Sequence, residues 1–146
     1  MIVMRLEEMQ SFVKSVTDKK VYIKKVEEET LNPYAGHAYT DDNGDHIVEI
    51  SDAINKGMDG TQTTKSFIRA FLLHEIGHIS MKEVEEPHVN EYNAHMWAIW
   101  KAEDLGYRKV LAFLREEIIS WQNISDTEEF KKYLRASQIY LIEQCT

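Results

Sequence analysis

The stretch that decides the fold is FLLHEIGHI, residues 71–79. It belongs to a segment, from about Thr64 to Met81, whose apolar residues point nearly all round a helix: Phe67, Ile68, Ala70, Phe71, Leu72, Leu73, Ile76 and Ile79. A helix of this kind belongs in the centre of a domain. Because two histidines and a glutamate are costly to bury there without partners, the stretch predicts a polar site inside the domain.

The spacing of the two histidines is that of a metal site. Each residue of an α-helix turns about 100°, so His74 and His78 are about 40° apart and can share one zinc ion. Zinc lowers the pKa of a coordinated water towards about 7, and Glu75 could take the proton and pass it to a leaving amine. The pattern predicts a zinc hydrolase with Glu75 as general base and acid. The alternative is a pair of histidines that bond locally at a solvated helix end.

A hydrolytic zinc needs a third protein ligand and an open fourth position. The downstream candidates are His88, Glu91 and His95. Glu91 and His95 are again four residues apart, so both could face the motif helix. Ala94 and Ala98 form a neighbouring stripe, where small side chains would let the two helices approach closely.

At this point the chain resembles a known family. The motif His74-Glu75-Ile76-Gly77-His78, followed by Glu91-x-x-Ala94-x-x-Trp97-Ala98, is similar to that of the ImmA/IrrE metallopeptidases of bacteria and phages. The resemblance covers about residues 20–105. It implies the gluzincin arrangement, with Zn²⁺ bound by His74, His78 and Glu91 and with Glu75 as the catalytic residue.

Several other residues have expected roles at or near the site. His95 stands where the family has Asp or Asn; it could orient a metal ligand, stabilise the oxyanion, or be a satisfied histidine on the helix surface. Tyr92 and Tyr34 are candidate oxyanion donors, and packing is the alternative for each. His88, beside a proline in an acidic loop, is expected to face solvent.

The other segments predict an α+β fold: a small antiparallel sheet with an N-terminal helix, packed on the central motif helix and on C-terminal helices, in a zincin-like arrangement. The predicted helices cover about 4–16, 64–81, 87 or 90 to 105, 108–121, and a last segment that begins with a Ser125–Glu128 capping box. The predicted strands cover 21–26, 37–40 and 46–50, and residues 41–45 form a hairpin turn between the last two. A turn is predicted at 33–36, and a short one from Ser51-Asp52 to Gly57.

We expect one domain over 1–146, with its core at about 20–105 and the C-terminal helices at about 107–145. Trp97, Trp100 and Trp121, with Tyr107 and Phe113, have helical spacing and are expected in the core, or else in the wall of a peptide site. The strand at 46–50 is expected either at an exposed edge that binds substrate backbone or paired within the sheet.

Composition restricts the partners. The 146 residues carry a net charge of -8, which argues against general nucleic-acid binding because phosphate contacts need clustered basic residues. No segment approaches the roughly 20 apolar residues of a membrane span, so no membrane partner is expected. The single cysteine, Cys145, suits a reducing compartment, and we expect a cytoplasmic location. The sequence leaves the oligomeric state open.

The function expected from these residues is hydrolysis of a cytoplasmic protein or peptide substrate, and the family resemblance implies that this substrate is a repressor or a similar regulator. Two alternatives stand beside it. One is a metal-stabilised regulatory or binding protein that keeps the zincin fold with little activity, although such a protein has no need of Glu75. The other is a SprT-like protease, which shares the motif but takes a histidine as its downstream ligand.

Overall fold

The computed structural model describes residues 3–27, 36–55, 64–125 and 144. These residues form an α+β structure with four helices and a three-stranded sheet. The helices are α1 (Leu6–Val16), α2 (Lys65–Ser80), α3 (Pro87–Leu105) and α4 (Arg108–Ser125). The strands are β1 (Val21–Val26), β2 (Gly36–Thr40) and β3 (His46–Ser51), and a 3₁₀ turn over Asp52–Asn55 follows β3.

The sheet is mixed, with the strand order β1-β3-β2. β2 and β3 form the predicted antiparallel hairpin, but β1 runs parallel to β3, so the prediction of a purely antiparallel sheet was wrong. β3 is therefore the central strand and not an exposed edge. The physical reason is burial: Val48, Ile50 and Ser51 of β3 are each almost fully buried, which suits the strand that has a neighbour on both sides.

Helix α1 covers the outer edge of β1. The side-chain amide of Gln10 donates to the Val21 carbonyl at 2.8 Å, and its oxygen accepts from the Ile23 N–H at 3.1 Å. One side chain thus occupies two of the hydrogen-bonding positions that a further strand would use. The apolar face of α1, which includes Phe12 and Val13, packs on the core below.

Helix α2 is the central helix of the described structure, as predicted. Its first turn is capped by Thr64, whose hydroxyl accepts from the Phe67 N–H at 3.2 Å. Ile68, Leu72 and Ile76 are fully buried. Neither α2 nor any other helix among the described residues is both long and apolar enough to cross a membrane.

Helices α2 and α3 approach each other most closely at Gly77. A Cβ atom built on Gly77 would lie 2.9 Å from both Cα and the carbonyl carbon of Ala94, and closer still to the carbonyl oxygen. Ala94, Ala98 and Ala102 are fully buried along the facing side of α3. The prediction that small residues allow close helix packing is confirmed. The backbone of Ala94 leaves no room for a side chain larger than the hydrogen atom of glycine at position 77.

The buried side of α3 explains where its tryptophans lie. Trp97 packs partly buried against the core, whereas Trp100 is 59% exposed, so its prediction as a core residue was wrong. Trp100 is two residues from both Ala98 and Ala102, about 200° around the helix axis from each, and therefore lies on the outer side of α3. Gly106 ends the helix as predicted, with a φ of 75° that only glycine adopts readily.

Helix α4 packs on α2 and α3 through Val110, Leu114 and Ile118, which recur once per turn and are buried. Tyr107 and Phe113 are partly buried against the core, as expected. The Trp121 side chain, the turn at 33–35, Gly57 and the last predicted helix lie outside the described residues.

We expect the substitution Gly77→Ala to destabilise the protein. Helix propensity alone would make the alanine variant more stable by about 1 kcal/mol. The added methyl group, however, would collide with the Ala94 backbone, and overpacking of this kind costs about 1–3 kcal/mol. The free energy of unfolding, measured by urea denaturation, should fall.

The matched control is Ala112→Gly, the reverse change at an exposed position of α4, which should cost about 1 kcal/mol through propensity alone. If Gly77→Ala raised the free energy of unfolding by the amount that Ala112→Gly lowers it, the close approach at Gly77 would be disproved.

Candidate metal site

Helices α2 and α3 bring two histidines and one carboxylate together. Nε2 of His74 lies 2.8 Å from Oε2 of Glu91, and Nε2 of His78 lies 3.1 Å from Oε1 of the same residue. The two rings are 5.0 Å apart at their centroids and nearly perpendicular. Glu91 therefore uses both carboxylate oxygens, one for each imidazole.

This geometry follows from the helix spacing and from the packing at Gly77. His74 and His78 are one turn apart on α2, with Gly77 between them on the side that meets α3. Because Gly77 lets the α3 backbone approach, Glu91, three residues before Ala94, reaches both imidazoles. The alternative of two histidines that bond locally at a helix end is wrong, because their partner belongs to another helix.

His74, His78 and Glu91 could hold a metal ion. One ligand atom from each lies within 4.8 Å of the others. On a tetrahedral zinc with bonds of about 2.0–2.1 Å, two ligand atoms are about 3.3 Å apart, which is within the 4.8 Å that separates the three candidate ligand atoms at most. Two imidazoles and a carboxylate are also donors that zinc accepts. The residues thus fit a divalent ion of this type.

The negative charge of Glu91 and the positive charge of His74 stabilise each other. Partial burial acts to raise the pKa of Glu91, but the hydrogen bonds to His74 and His78 outweigh it and hold that pKa far below its usual range. Burial likewise acts to lower the pKa of His74, yet the bond to Glu91 and the nearby carboxylates leave it raised. The carboxylate is therefore in its ligating, ionised form.

Glu75 lies beside the cluster and is only 7% exposed. Burial raises its pKa, while the charges of His74 and His78 act in the opposite direction. A raised pKa makes the carboxylate a stronger base, which favours the acceptance of a proton in general acid–base chemistry. His37, on β2, also acts electrostatically on this carboxyl and favours a lower pKa.

His95 lies behind His74 and is fully buried. Its Nδ1 is 3.2 Å from Nδ1 of His74, and its Nε2 is 2.8 Å from the Leu114 carbonyl oxygen. The alternative of a histidine on the helix surface is therefore wrong. Burial lowers the pKa of His95 to about 4, so the ring is neutral at pH 7. The His95 nitrogens do not belong to the ligand group.

The expected roles of three other residues, Tyr92, His88 and Tyr34, are not tested by the described structure. Tyr92 is half-buried on α3, about 100° around the axis from Glu91, and its role as an oxyanion donor stays a prediction. The side chain of His88 and all of Tyr34 lie outside the described residues.

Sequence reasoning missed three parts of the site. The Leu114 carbonyl is a backbone group, and no residue pattern could have indicated it. Glu117 of α4 places Oε2 3.9 Å from Nδ1 of His95, and His37 acts on Glu75 from the sheet; both come from elements whose packing the sequence does not specify. A glycine inside the motif, Gly77, was the one available signal for the close helix approach.

Comparisons with protein-family models, curated proteins and solved structures find no match to this chain. The ImmA/IrrE resemblance therefore stays a prediction that rests on the motif residues themselves.

We expect Glu91→Gln to weaken zinc binding strongly. The amide keeps the size of the side chain but loses the charge that joins the two imidazoles. The loss should exceed the roughly 10–100-fold typical when only a supporting partner of a ligand is removed. Titration of the protein with zinc against a chromophoric chelator measures the affinity.

The matched control is Glu103→Gln, the same change at an exposed position of α3 that pairs loosely with Arg115. Its zinc affinity should equal that of the wild type. Equal affinity in the Glu91→Gln variant as well would remove Glu91 from the ligand set.

Proposed function

We propose that this protein is a zinc-dependent metallopeptidase, of the gluzincin type, that hydrolyses peptide bonds of a protein substrate. The observation that carries the proposal is the placement of a buried carboxyl, Glu75, beside the group formed by His74, His78 and Glu91. A purely structural metal site has no use for such a group.

The number of ligands also favours catalysis over structure. Structural zinc sites generally use four protein ligands, whereas hydrolytic sites use three and keep one position open. The described residues supply three. When bound, zinc would act as a Lewis acid that polarises a carbonyl group and makes water more acidic.

Each residue of the site has a defined task in this proposal. The Nε2 atoms of His74 and His78 and the carboxylate of Glu91 hold the ion. Glu75 takes a proton from the attacking water and gives it to the leaving amine, a transfer that its raised pKa assists. His95 lies behind His74, away from the ligand atoms, which favours a role in holding His74 over contact with the oxyanion.

The outer strand β2 is the part of the sheet best placed to bind substrate backbone. Within the described residues no strand pairs with its outer edge, and β2 packs on α2 where Gly36 contacts the ring of Phe71. His37 of the same strand is close enough to influence Glu75 electrostatically. An extended peptide added along β2 would therefore lie near the proton-transferring group.

The motif suggests kinship with the ImmA/IrrE peptidases, and a cytoplasmic regulator or repressor as substrate. Glu91 between the two imidazoles counts against the SprT-like alternative, which takes a histidine as third ligand. A metal-stabilised binding protein remains the competing function, and activity measurements separate it from a peptidase.

The test uses zinc-loaded protein and a peptide library prepared from a bacterial proteome, with new N-termini identified by mass spectrometry. The wild type should cleave a defined subset of peptides. Glu75→Gln should keep its zinc and lose about 10²–10⁴-fold in rate, as expected when a general base is removed.

Glu103→Gln on the outside of α3 serves as the control and should cleave like the wild type. Zinc binding without cleavage of the library, or of intact proteins from the same lysate, would favour the binding protein. Equal rates for Glu75→Gln and the wild type would exclude Glu75 as the base.

A further inference from the structure

A polar pocket lies between the carboxyl end of α1 and helix α3, and it shares no lining residue with the metal site. Its described lining consists of residues 14–19, which end α1 and begin the turn to β1, together with Trp97 and Lys101 of α3. The pocket has a volume of about 350 Å³. Small-molecule sites usually occupy about 300–1,000 Å³, so this pocket has room for a small ligand.

The pocket gathers positive charge in a protein that is acidic as a whole. The chain has 25 acidic and 17 basic residues, yet Lys14, Lys19 and Lys101 line the pocket with one carboxylate, Asp18. Among the described residues, none of these lysines forms an ion pair within 4.0 Å. Because like charges repel, a cluster of this kind favours the addition of an anion.

The lysines come from different elements and converge on one space. Lys14 and Lys19 are exposed, on α1 and on the turn that follows it, whereas Lys101 is half-buried on α3. The ammonium nitrogen of Lys101 lies 5.8 Å from the centroid of the Trp100 ring. This cation–π contact restricts the Lys101 side chain but does not neutralise its charge.

The hydrogen-bonding groups of the lining are mainly donors. An ammonium group has three donors and no acceptor. The hydroxyl oxygen of Thr17 accepts from the Lys19 N–H at 3.2 Å, which leaves the hydroxyl hydrogen of Thr17 to donate. A ligand that only accepts hydrogen bonds therefore suits the pocket.

Two features oppose an anion, and the lysines outweigh both. One is the carboxylate of Asp18, and the other is the carboxyl end of α1, which carries a partial charge of about -0.5. Three ammonium groups exceed the negative charge of these two features together. The pocket is thus positive on balance.

Trp97 gives the pocket a different kind of wall. Its side chain is partly buried against the core, so the part that faces the pocket is held in place. An indole ring packs well against another flat ring system. A ligand with both an anionic group and a flat organic group would use the two sides of the pocket.

We propose that this pocket binds a small phosphorylated molecule such as a nucleoside diphosphate. Its phosphate groups contact Lys14, Lys19 and Lys101, and its organic part packs on Trp97. A phosphate group is favoured over a carboxylate because it carries up to two negative charges and presents three acceptor oxygens. The proposal goes beyond the proposed peptidase function and does not rest on it.

The test titrates the full chain with inorganic pyrophosphate and with ADP by calorimetry, at about 0.15 M salt to screen long-range attraction. Both anions should bind at one site, with ADP the tighter of the two. Lys19→Gln and Lys101→Gln should each weaken binding about tenfold or more, the loss expected for one charge-assisted hydrogen bond. The matched control is Lys109→Gln, the same change of charge at an exposed position of α4 outside the lining, and it should bind like the wild type.

Two further variants locate the ligand. Trp97→Leu should lower the affinity for ADP to that for pyrophosphate, and retained binding of pyrophosphate would show that this variant is folded. Glu91→Gln should bind both anions like the wild type, because Glu91 does not line the pocket.

Four results would overturn the proposal. They are no saturable binding of either anion, equal weakening by Lys101→Gln and Lys109→Gln, an unchanged preference for ADP in Trp97→Leu, and loss of binding in Glu91→Gln, which would place the anion at the metal site instead. None of these titrations measures peptide cleavage, so this proposal and the peptidase function can fail separately.

Discussion

The contact on which the site depends is the approach of α2 to α3 at Gly77. A backbone carbonyl of one helix occupies the place where any other residue of the second helix would have a side chain. The two helices therefore pack closely enough for one carboxylate, Glu91, to reach two imidazoles. Without this contact the histidines would still be one turn apart, but they would lack a shared anionic partner.

The pattern of local residues predicted much of this structure. The four described helices and three strands lie close to their predicted positions because helical and alternating periodicities are properties of neighbouring residues. The same holds for His74 and His78, whose relation depends only on helix geometry. Glu91 was one of three candidates from spacing alone, and the family resemblance made it the expected ligand.

What local patterns could not specify is how distant segments meet. Strand alternation indicated β1 but not that it would pair in parallel with β3, because strand order depends on which strand buries most surface. Trp100 shares helical spacing with Trp97, yet the buried stripe of alanines turns it outward. The burial of His95 depends on α4, and its acceptor at Leu114 is a backbone atom without a sequence signature.

The side chain of Gln10 has a consequence for how the molecule behaves towards other chains. Its amide satisfies the Val21 carbonyl and the Ile23 N–H, two backbone groups through which another extended chain could pair with β1. Within the described residues, the other edge of the sheet is β2, which packs next to α2 and has no strand paired on its outer side. The two edges of the sheet therefore differ, because a side chain covers part of the β1 edge, and pairing with another extended chain is favoured at the β2 edge.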